Sequence, residues 1–375
     1  MAKQLRAEGK DVLSFALGEP DFSAPAVVVN QAIESLRAGR QKYGPAGGGL
    51  EIRQAICAKL QRDNNLEYAP EQIVCGIGAK EILFHVFLSM LNPGDEVLIP
   101  APYWVSYGDQ IKACGAKPVI VPFTEDPLQP CYRAEMLEKY ATERTVAIVL
   151  CSPNNPAGMV IDPQEMVALG EFLLRKDWWV ISDEIYEYMT FGAEHLSIVN
   201  VAPQLKSRTV IINGLSKGFA MTGWRVGYCA APQQMASYVK TLQSHSSTCI
   251  PPFIEDAAVI ALNGGKDLMA DQLLLLEERS KLALQLVREL HGVHVMEPKG
   301  AFYLFLDLRD RLQSSSFADR LASMPFCERL LKEEYVAAVP GDAFGCPGFL
   351  RLSYATDEDT IRAGIQRIAR LLDRI

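Results

Sequence analysis

The sequence lacks the features by which membrane proteins, nucleic-acid-binding proteins and zinc proteins are usually recognised. No apolar run reaches the ~18 residues that a membrane-spanning helix requires, so we expect no membrane partner. The formal net charge is −8 and the Lys and Arg residues are scattered, which argues against nucleic-acid binding. The five histidines show no zinc-ligand spacing, so we predict no metal site. With 49% hydrophobic residues, the chain can bury a sizeable core.

No CxxC pair occurs among the nine cysteines, and their odd number does not suit a disulfide framework. Most of them lie in apolar runs, as Cys75 and Cys151 do, which is typical of buried, reduced thiols. The first residues contain no apolar segment of the kind that a secretory signal has. These features together predict a cytoplasmic protein.

Two common nucleotide-binding motifs are also missing. The P-loop pattern GxxxxGK[ST] does not occur, and the dinucleotide pattern GxGxxG is incomplete because no third glycine follows Gly76 and Gly78. However, Gly78, Ala79 and Lys80 open a helical pattern directly after a strand-like run, where free backbone N–H groups can hold a phosphate. An ordinary strand–helix turn is the alternative interpretation of this segment alone.

Short β-branched runs alternate with helical patterns from about residue 70 to residue 230, which predicts a mostly parallel sheet. The predicted strands are seven: 73–77, 96–99, 118–121, 146–151, 178–182, 209–213 and 226–231.

The pattern changes after residue 231. A long amphipathic helix at 267–290 is followed by strands near 301–307 and 349–354, with helices near 317–334 and 357–374. We therefore predict an α/β protein with two domains joined by the long helix. The large domain covers 25–278, and the smaller α+β domain combines 1–24 with 279–375.

Polar residues follow three successive predicted strands of the sheet. Asn155 lies in a proline-rich turn after the fourth strand, and Asp183 directly follows the fifth, with Tyr186 three residues on. Lys217 and Arg225 come after the sixth strand. Because the carboxyl ends of parallel strands meet at one edge of a sheet, we expect these side chains to share a crevice.

A phosphate cradle, a buried carboxylate, hydrogen-bond donors and a lysine form the set that pyridoxal phosphate (PLP) requires. Each member alone has a structural alternative, since an Asp after a strand often caps a helix and a lone Lys is usually a solvated charge. Their occurrence in this order on successive strands predicts a PLP-dependent enzyme.

Several motifs carry a resemblance to a known family. They are Gly18-Glu-Pro-Asp-Phe22, Tyr43-Gly-Pro45, Pro102-Tyr-Trp104-Val-Ser-Tyr107, Asn154-Asn-Pro-Ala-Gly158, Ser182-Asp-Glu-Ile-Tyr186, Ser216-Lys217 with Arg225, and Arg351-Leu-Ser-Tyr354. They resemble the class I aminotransferases, in particular the bacterial aspartate aminotransferase branch, over nearly the whole chain. The resemblance implies a fold-type-I PLP-dependent transferase that works as a homodimer.

The resemblance implies a role for each motif residue at the cofactor ring. Lys217 would be the catalytic residue, which binds the cofactor covalently and moves the substrate α-proton. Asp183 would hold the ring nitrogen protonated, while Tyr186 and Asn155 would donate hydrogen bonds to the phenolic oxygen. Trp104 would stack on the ring, with a core or interface aromatic as the alternative.

The resemblance also implies a phosphate site that both subunits build. Its residues are Gly78, Ala79, Lys80, Ser216 and Arg225, with Tyr43 reaching in from the neighbouring subunit. A structural ion pair is the alternative role for Arg225.

The substrate α-carboxylate would be bound by Arg351, because a guanidinium matches a carboxylate in a two-pronged geometry. Asn155, Trp104 and the backbone of Gly18 would complete this pocket. Some relatives bind the second carboxylate of the substrate with an arginine from the segment that matches 244–253, which contains no Arg here.

Lys80 is therefore the expected ligand of the second carboxylate, as in the similar bacterial branch. The alternative is that Lys80 only adds positive charge near the phosphate.

The motifs depart from the family pattern at Ala157, where a Thr is usual, and at Gly214, where many relatives carry a phosphate-binding Ser or Thr. The sequence also begins later than its relatives do, and we expect the lack of an N-terminal arm to affect substrate fit and dimer strength.

The predicted reaction transfers an amino group from L-aspartate to 2-oxoglutarate. The alternatives are another amino donor or acceptor, such as prephenate, alanine or an aromatic amino acid, and a non-catalytic PLP-binding sensor. Such sensors normally carry a basic DNA-binding domain, which this sequence lacks.

Overall fold

The computed structural model describes residues 1–122, 132–313 and 323–375. Cys131 and the first part of the helix predicted near 317–334 lie outside these ranges. The helices are α1 Ala2–Ala7, α2 Ala26–Arg37, α3 Leu50–Asn64, α4 Ala79–Met90, α5 Ser106–Ala113, α6 Ala134–Tyr140, α7 Pro163–Leu174, α8 Ile198–Val201, α9 Gln233–Ser244, α10 Pro252–Gly264, α11 Ala270–Arg288, α12 Arg309–Gln313, α13 Ser323–Glu333 and α14 Glu358–Leu372. The strands are β1 Leu13–Ser14, β2 Ile73–Ile77, β3 Glu96–Pro100, β4 Lys117–Val121, β5 Thr145–Cys151, β6 Trp179–Asp183, β7 Thr209–Gly214, β8 Val226–Ala230, β9 His294–Val295, β10 Tyr303–Asp307, β11 Val336–Ala337, β12 Val339–Pro340 and β13 Phe349–Ser353.

Seven strands form the central sheet, in the order β2-β8-β7-β6-β5-β3-β4. All neighbours are parallel except β8, which runs antiparallel to both β2 and β7. Most residues of these strands are buried, which is why they read as continuous apolar runs in the sequence. The predicted α/β fold with a seven-stranded, mostly parallel sheet is confirmed.

A second, antiparallel sheet has the order β12-β13-β10-β9, and the short strand β1 pairs with β11. The β1–β11 pair brings the start of the chain to its last third. Phe15 belongs to the same hydrophobic cluster as the residues of β10, β13 and α14. The division into a large domain, 25–278, and a small domain, 1–24 with 279–375, stays a prediction.

The long helix α11 is shorter than the predicted 267–290. Residues Gly265–Met269 form a separate 3₁₀ turn before it, because Gly265 has φ +62°, which a continuous α-helix does not allow. Within the described ranges, no helix has the length and hydropathy that crossing a bilayer requires.

The carboxyl ends of β5, β6 and β7 lie side by side and position the polar residues that follow them. Asp183 is the last residue of β6 rather than the first residue after it, and it lies opposite Cys151 of β5. At the end of β7, a Cβ on Gly214 would lie 2.6 Å from the carbonyl oxygen of Val226. The close approach of β8 therefore excludes a Ser or Thr side chain at this position.

Candidate active site

A cavity of about 370 Å³ opens at the carboxyl ends of the parallel strands. It is lined by Gly18, Ala79, Lys80, Trp104, Tyr107, Cys151, Asn155, Asp183, Ile185, Tyr186, Ser216, Lys217, Thr222, Arg225, Tyr303 and Arg351. Every site residue predicted from the sequence lines it except Gly78 and Tyr43. The fold thus brings together residues that are up to 333 positions apart, Gly18 and Arg351 at the extremes.

Gly78 does not line the cavity, but it determines how closely the Arg225 guanidinium approaches the N-terminus of α4. It is the N-cap of α4 with φ +80°, a left-handed conformation that favours glycine. A Cβ at this position would lie 2.8 Å from Cζ of Arg225, so only glycine lets the guanidinium approach the helix N-terminus. The first-turn amides of α4, the helix dipole and the Arg225 charge together form a site for an anion.

Arg225 itself has an unusual backbone conformation. It ends the 3₁₀ turn Thr222–Trp224 with φ +60°, and its Nη1 donates to the carbonyl oxygen of Thr222 at 2.9 Å. A non-glycine residue in the left-handed region costs about 1–3 kcal/mol, and such residues cluster at functional sites. No carboxylate pairs with Arg225 within the described residues, which argues against the structural ion-pair alternative.

Asp183 is a buried carboxylate at the floor of the cavity. Its Oδ2 accepts a hydrogen bond from the Tyr107 hydroxyl at 2.6 Å, and its Oδ1 accepts one from the Ile185 amide at 3.3 Å. Burial raises the pKa of Asp183 to about 6, while these hydrogen bonds and the nearby Lys217 oppose the rise. A cation bound next to Asp183 would complete its charge balance.

Lys217 follows β7 and projects into the same cavity, where its Nζ donates to the carbonyl oxygen of Gly18. Burial lowers the pKa of Lys217 to about 8, with Arg351, Arg225 and Lys80 adding to the effect and Glu19 opposing it. A substantial fraction of this amine is therefore neutral near physiological pH, which suits a nucleophile or a proton acceptor.

Arg351 lies on β13 and is held by two acceptors and two rings. Its Nη1 donates to Oδ1 of Asn155 at 2.9 Å, and its Nη2 donates to the Ala16 carbonyl oxygen at 2.7 Å. Its guanidinium lies over the Tyr303 ring at 4.5 Å and near the Phe344 ring at 5.2 Å. The buried Nε makes no hydrogen bond within the described residues, so this cation has donor capacity left for an anion.

Two aromatic pairs close the sides of the cavity. Trp104 is half-buried and packs edge-on against Tyr107. The Nζ of Lys80 lies over the Trp104 ring, 4.8 Å from its centroid. On the other side, the hydroxyl groups of Tyr186 and Tyr303 lie 3.0 Å apart. The Trp104 ring is exposed to the cavity, which favours a ligand-stacking role over a core role.

Five cavity residues were not predicted from the sequence: Tyr107, Cys151, Ile185, Thr222 and Tyr303. Tyr107 belongs to a quoted motif, and its spacing of three from Trp104 could have indicated one shared helical face. Tyr303 carries no local signal, since it is one of several apolar or aromatic residues in a buried strand.

Tyr43 lies apart from the cavity. Its side chain is 90% exposed, and it borders a shallow depression with Cys249, Pro251 and Pro252. A contribution of Tyr43 to the site of a neighbouring subunit stays a prediction.

The residues present fit the chemistry of PLP. The anion site at α4 suits a phosphate, the buried Asp183 forms no salt bridge within the described residues, and the Lys217 amine has a lowered pKa. Between them lies Trp104, an aromatic face for a ring. Fold and site together define a fold-type-I PLP-dependent transferase.

Comparison with known proteins gives the family. The profile of the class I and II aminotransferases matches residues 10–368. A probable aspartate/prephenate aminotransferase of Aquifex aeolicus and an aspartate aminotransferase of Bacillus subtilis are each 41% identical to this chain, covering 100% of it and 94% of the relative.

Solved structures agree with the sequence comparison. An aspartate aminotransferase of Rhizobium meliloti superposes with a TM-score of 0.94 at 36% identity, covering 100% of this chain and 94% of that one. One from Thermus thermophilus, solved with maleate, has a TM-score of 0.90 at 35% identity, with 99% and 94% covered. The chain therefore belongs to the class I and II aminotransferases, and it is a PLP-dependent aminotransferase.

Proposed function

We propose that this aminotransferase transfers the amino group of L-aspartate to 2-oxoglutarate, giving oxaloacetate and L-glutamate. The observation that carries the proposal is the free Nε of the buried Arg351, which lies in the same cavity as Lys217 and Lys80. A dicarboxylic substrate needs two cationic partners, and the cavity offers both. Two relatives that match nearly the full chain are named aspartate aminotransferase, and the structure of one of them was solved with the dicarboxylate maleate. Both support this choice.

In this proposal, each cofactor group has its own partner in the cavity. The backbone of Gly78, Ala79 and Lys80, together with Ser216 and Arg225, would hold the phosphate. Asp183 would accept a hydrogen bond from the protonated ring nitrogen, Tyr186 and Asn155 would donate to the phenolic oxygen, and Trp104 would stack on the ring. When bound, PLP supplies an aldehyde that links to amino groups and a ring that accepts the electrons left by a departing proton.

The protein contributes substrate orientation and proton transfer. Arg351 binds the α-carboxylate, with Asn155 and Gly18 beside it, and thereby fixes the Cα–H bond of the substrate relative to the ring. The Lys217 amine takes the α-proton at its Nζ and returns it at a neighbouring carbon. Its lowered pKa keeps the proton affinity close to working pH, where general acid–base catalysis is most efficient.

The central experiment is a panel of single half-reactions. The absorbance of the bound cofactor is followed while aspartate, glutamate, alanine, phenylalanine or tyrosine is added to the holoenzyme. We expect aspartate and glutamate to convert the cofactor to its amine form fastest. If Lys217→Ala kept a normal covalent attachment to PLP, the assignment of this residue would be wrong. Binding of PLP without conversion by any amino acid would favour a sensor.

Lys80 is the proposed partner of the distal substrate carboxylate. Its ammonium lies over Trp104 at the cavity mouth, with no carboxylate partner within the described residues. We predict that Lys80→Ala lowers kcat/KM for aspartate by about 10- to 100-fold, the range for losing a charged hydrogen bond, and that alanine turnover changes little. Lys112→Ala, an exposed lysine on α5, is the matched control. Equal losses for aspartate and alanine would contradict the assignment.

Prephenate transamination is a second candidate. Relatives from Aquifex aeolicus and Nitrosomonas europaea, 41% and 39% identical, are named for both aspartate and prephenate. Prephenate also carries two carboxylates, so the same pair of cations can bind it. Adding prephenate as the amino acceptor to the glutamate-loaded enzyme tests this activity directly.

We further propose that the enzyme is a cytoplasmic homodimer in which Tyr43 reaches the phosphate site of the partner. The 90% exposure of this large ring beside an apolar depression supports a covering partner. The described cysteines are all unbridged, which is consistent with a reducing compartment. Sedimentation of the holoenzyme tests the dimer. Restored activity on mixing Tyr43→Ala with Lys217→Ala subunits tests the shared site.

A further inference from the structure

The hydrogen bond between Tyr107 and Asp183 is buried and short. Tyr107 is 1% exposed and Asp183 is 5% exposed, and their oxygen atoms are 2.6 Å apart. Within the described residues, the other hydrogen bond to this carboxylate is the longer one from the Ile185 amide, at 3.3 Å. A hydrogen bond to an ionised acceptor is about twice as strong as a neutral one, so Tyr107 is the main hydrogen-bonding partner of Asp183.

Tyr107 is held in place by the elements around it. It lies in the first turn of α5, and its ring packs edge-on against Trp104 with the centroids 5.4 Å apart. The same side chain therefore contacts the proposed stacking residue and the proposed partner of the ring nitrogen. Tyr107 is almost completely buried, so its hydroxyl donates to Asp183 in a site that bulk water hardly reaches.

We propose that Tyr107 is a positioning residue, whose hydroxyl keeps the Asp183 carboxylate ionised and in one orientation. This inference rests on the proposed role of Asp183. A proton shared between a ring nitrogen and a carboxylate stays on the nitrogen only while the carboxylate is the weaker base. Tyr107 lowers the basicity of Asp183 by donating to it, and so keeps the cofactor ring in its electron-accepting, protonated form.

The other charged and titratable groups around Asp183 cannot take over this task. Cys151 of β5 is a buried thiol whose pKa is raised by burial, so it stays neutral. Glu184 next in the chain raises the pKa of Asp183 through repulsion. Lys217 lowers the pKa of Asp183 only while its amine is charged, and burial, which lowers the pKa of Lys217 to about 8, makes that charge depend on pH. Tyr107 is the uncharged donor whose contribution is independent of these changes.

The test uses holoenzyme loaded with PLP that carries ¹⁵N at the ring position. The ¹⁵N chemical shift of the ring and the dissociation constant for PLP are measured between about pH 6 and pH 9, on either side of neutrality. We expect the wild-type ring to stay protonated. In Tyr107→Phe, we expect the ¹⁵N shift to move toward unprotonated pyridine and PLP to bind about 10- to 100-fold more weakly.

Two further variants separate the donor from the bulk of the ring. Tyr228→Phe removes the hydroxyl of another fully buried tyrosine, one that has no hydrogen-bond partner within the described residues, and should leave both readouts unchanged. Replacing Tyr107 with 3,5-difluorotyrosine keeps the ring shape with a more acidic donor, and it should keep the ring nitrogen protonated. If Tyr107 served only in packing, the ¹⁵N shift would be the same in Tyr107→Phe, in Tyr228→Phe and in the difluorotyrosine protein.

The outcomes distinguish this inference from the function on which it rests. If Asp183→Asn changes the ¹⁵N shift and Tyr107→Phe does not, the role of Tyr107 is overturned while that of Asp183 stands. If neither variant changes the shift, the placement of the ring nitrogen at Asp183 is itself wrong. A shifted ring nitrogen in Tyr107→Phe with a normal one in the difluorotyrosine protein supports the inference.

Discussion

At the residue scale, the cavity depends on a few side chains that are placed against the ordinary preferences of the chain. Arg225 has a left-handed backbone, and Lys217 is an amine in a desolvated site. Arg351 is a buried cation that pairs with no carboxylate in the part of the chain that the structure describes. Each placement costs stability, and a bound anion, carboxylate or aldehyde would offset part of that cost. The residue-level energetics thus predict which ligands the enzyme binds.

Gly78 gives the first prediction at this scale. Gly78→Ala adds a methyl group that collides with the Arg225 guanidinium, and it places a side chain at φ +80°. Displacing this cation from the α4 N-terminus should weaken PLP binding by at least about tenfold, the loss of one charge-assisted contact. The dissociation constant is measured by titrating the apoenzyme with PLP.

Gly39→Ala is the matched control for this change. Gly39 has the same left-handed backbone, φ +81°, but a methyl group there meets no atom within 4 Å. It should lower stability without altering PLP affinity. Equal loss of affinity in both variants would mean that the effect is global rather than local to Arg225.

Lys217 gives a second prediction, on pH dependence. Only the neutral amine attacks an aldehyde, and burial lowers the pKa of Lys217 to about 8. The rate at which the apoenzyme captures PLP should therefore rise with pH and be half-maximal near pH 8, rather than near the value of 10.5 for a free lysine. Stopped-flow absorbance measures this rate.

Glu19→Gln tests the cause of this pH dependence. Glu19 raises the pKa of Lys217, so its neutralisation should move the half-maximal rate to lower pH. Glu34→Gln, an exposed carboxylate on α2, should leave the profile unchanged. A profile centred near pH 10 in the wild type would contradict the lowered pKa.

At the scale of elements, the turn after β5 connects the parallel sheet to the antiparallel one. The Gly158 carbonyl oxygen accepts hydrogen bonds from the amides of Lys299 and Gly300, at 2.9 and 3.0 Å, just before β10. The same turn holds Asn155 against Arg351 of β13. The geometry of the proposed substrate site is therefore set where two sheets meet rather than within either of them.

Gly158→Ala should weaken this connection. Gly158 has φ +66°, and a Cβ there would lie 2.7 Å from the Gly300 carbonyl oxygen and 2.8 Å from Cβ of Pro298. We expect a loss of about 1–3 kcal/mol in the free energy of unfolding. We also expect a higher KM for aspartate, because the hydrogen bond between Arg351 and Asn155 would be displaced. Gly192→Ala, with φ +67° and open space around it, should change stability less and leave KM unaltered. Urea unfolding and steady-state kinetics measure the two effects.

At the scale of the whole molecule, the cavity lies between residues of the proposed large domain and Arg351 of the proposed small domain. Asp183 ends strand β6 of the central sheet and Lys217 follows strand β7, whereas Arg351 and Tyr303 belong to the antiparallel sheet. A substrate that contacts both groups is stabilised most when the domains approach each other. We therefore propose closure of the small domain on substrate binding.

Small-angle scattering of the holoenzyme with and without maleate tests this closure. We expect a smaller radius of gyration with the dicarboxylate, and no change in Arg351→Gln, which lacks the cation that would join the domains. Identical profiles for the wild type in both conditions would contradict the closure and leave the assignments of the cofactor residues intact.

Much of the molecule is determined by local patterns in the sequence. Strands that are buried on both faces must be continuously apolar, so the seven strands of the central sheet could be predicted to within about two residues. Asp183, Lys217 and Asn155 could be predicted because each lies at the carboxyl end of such a strand or within four residues after it. The chemistry of PLP then restricts which residue types these positions can carry.

Other features depend on contacts that no local pattern encodes. Tyr107 donates to Asp183, 76 positions away, and the Tyr186 hydroxyl lies beside Tyr303, 117 positions away. Asn155 and Ala16 each accept one of the five N–H donors of the Arg351 guanidinium, and its Nε has no partner within the described residues. Burial, which raises the pKa of Asp183 and lowers that of Lys217, is likewise a property of the packed molecule. The sequence by itself determined the sheet and the reactive residue types, while the tertiary structure decided their protonation and their partners, because solvent exclusion arises only when distant segments pack together.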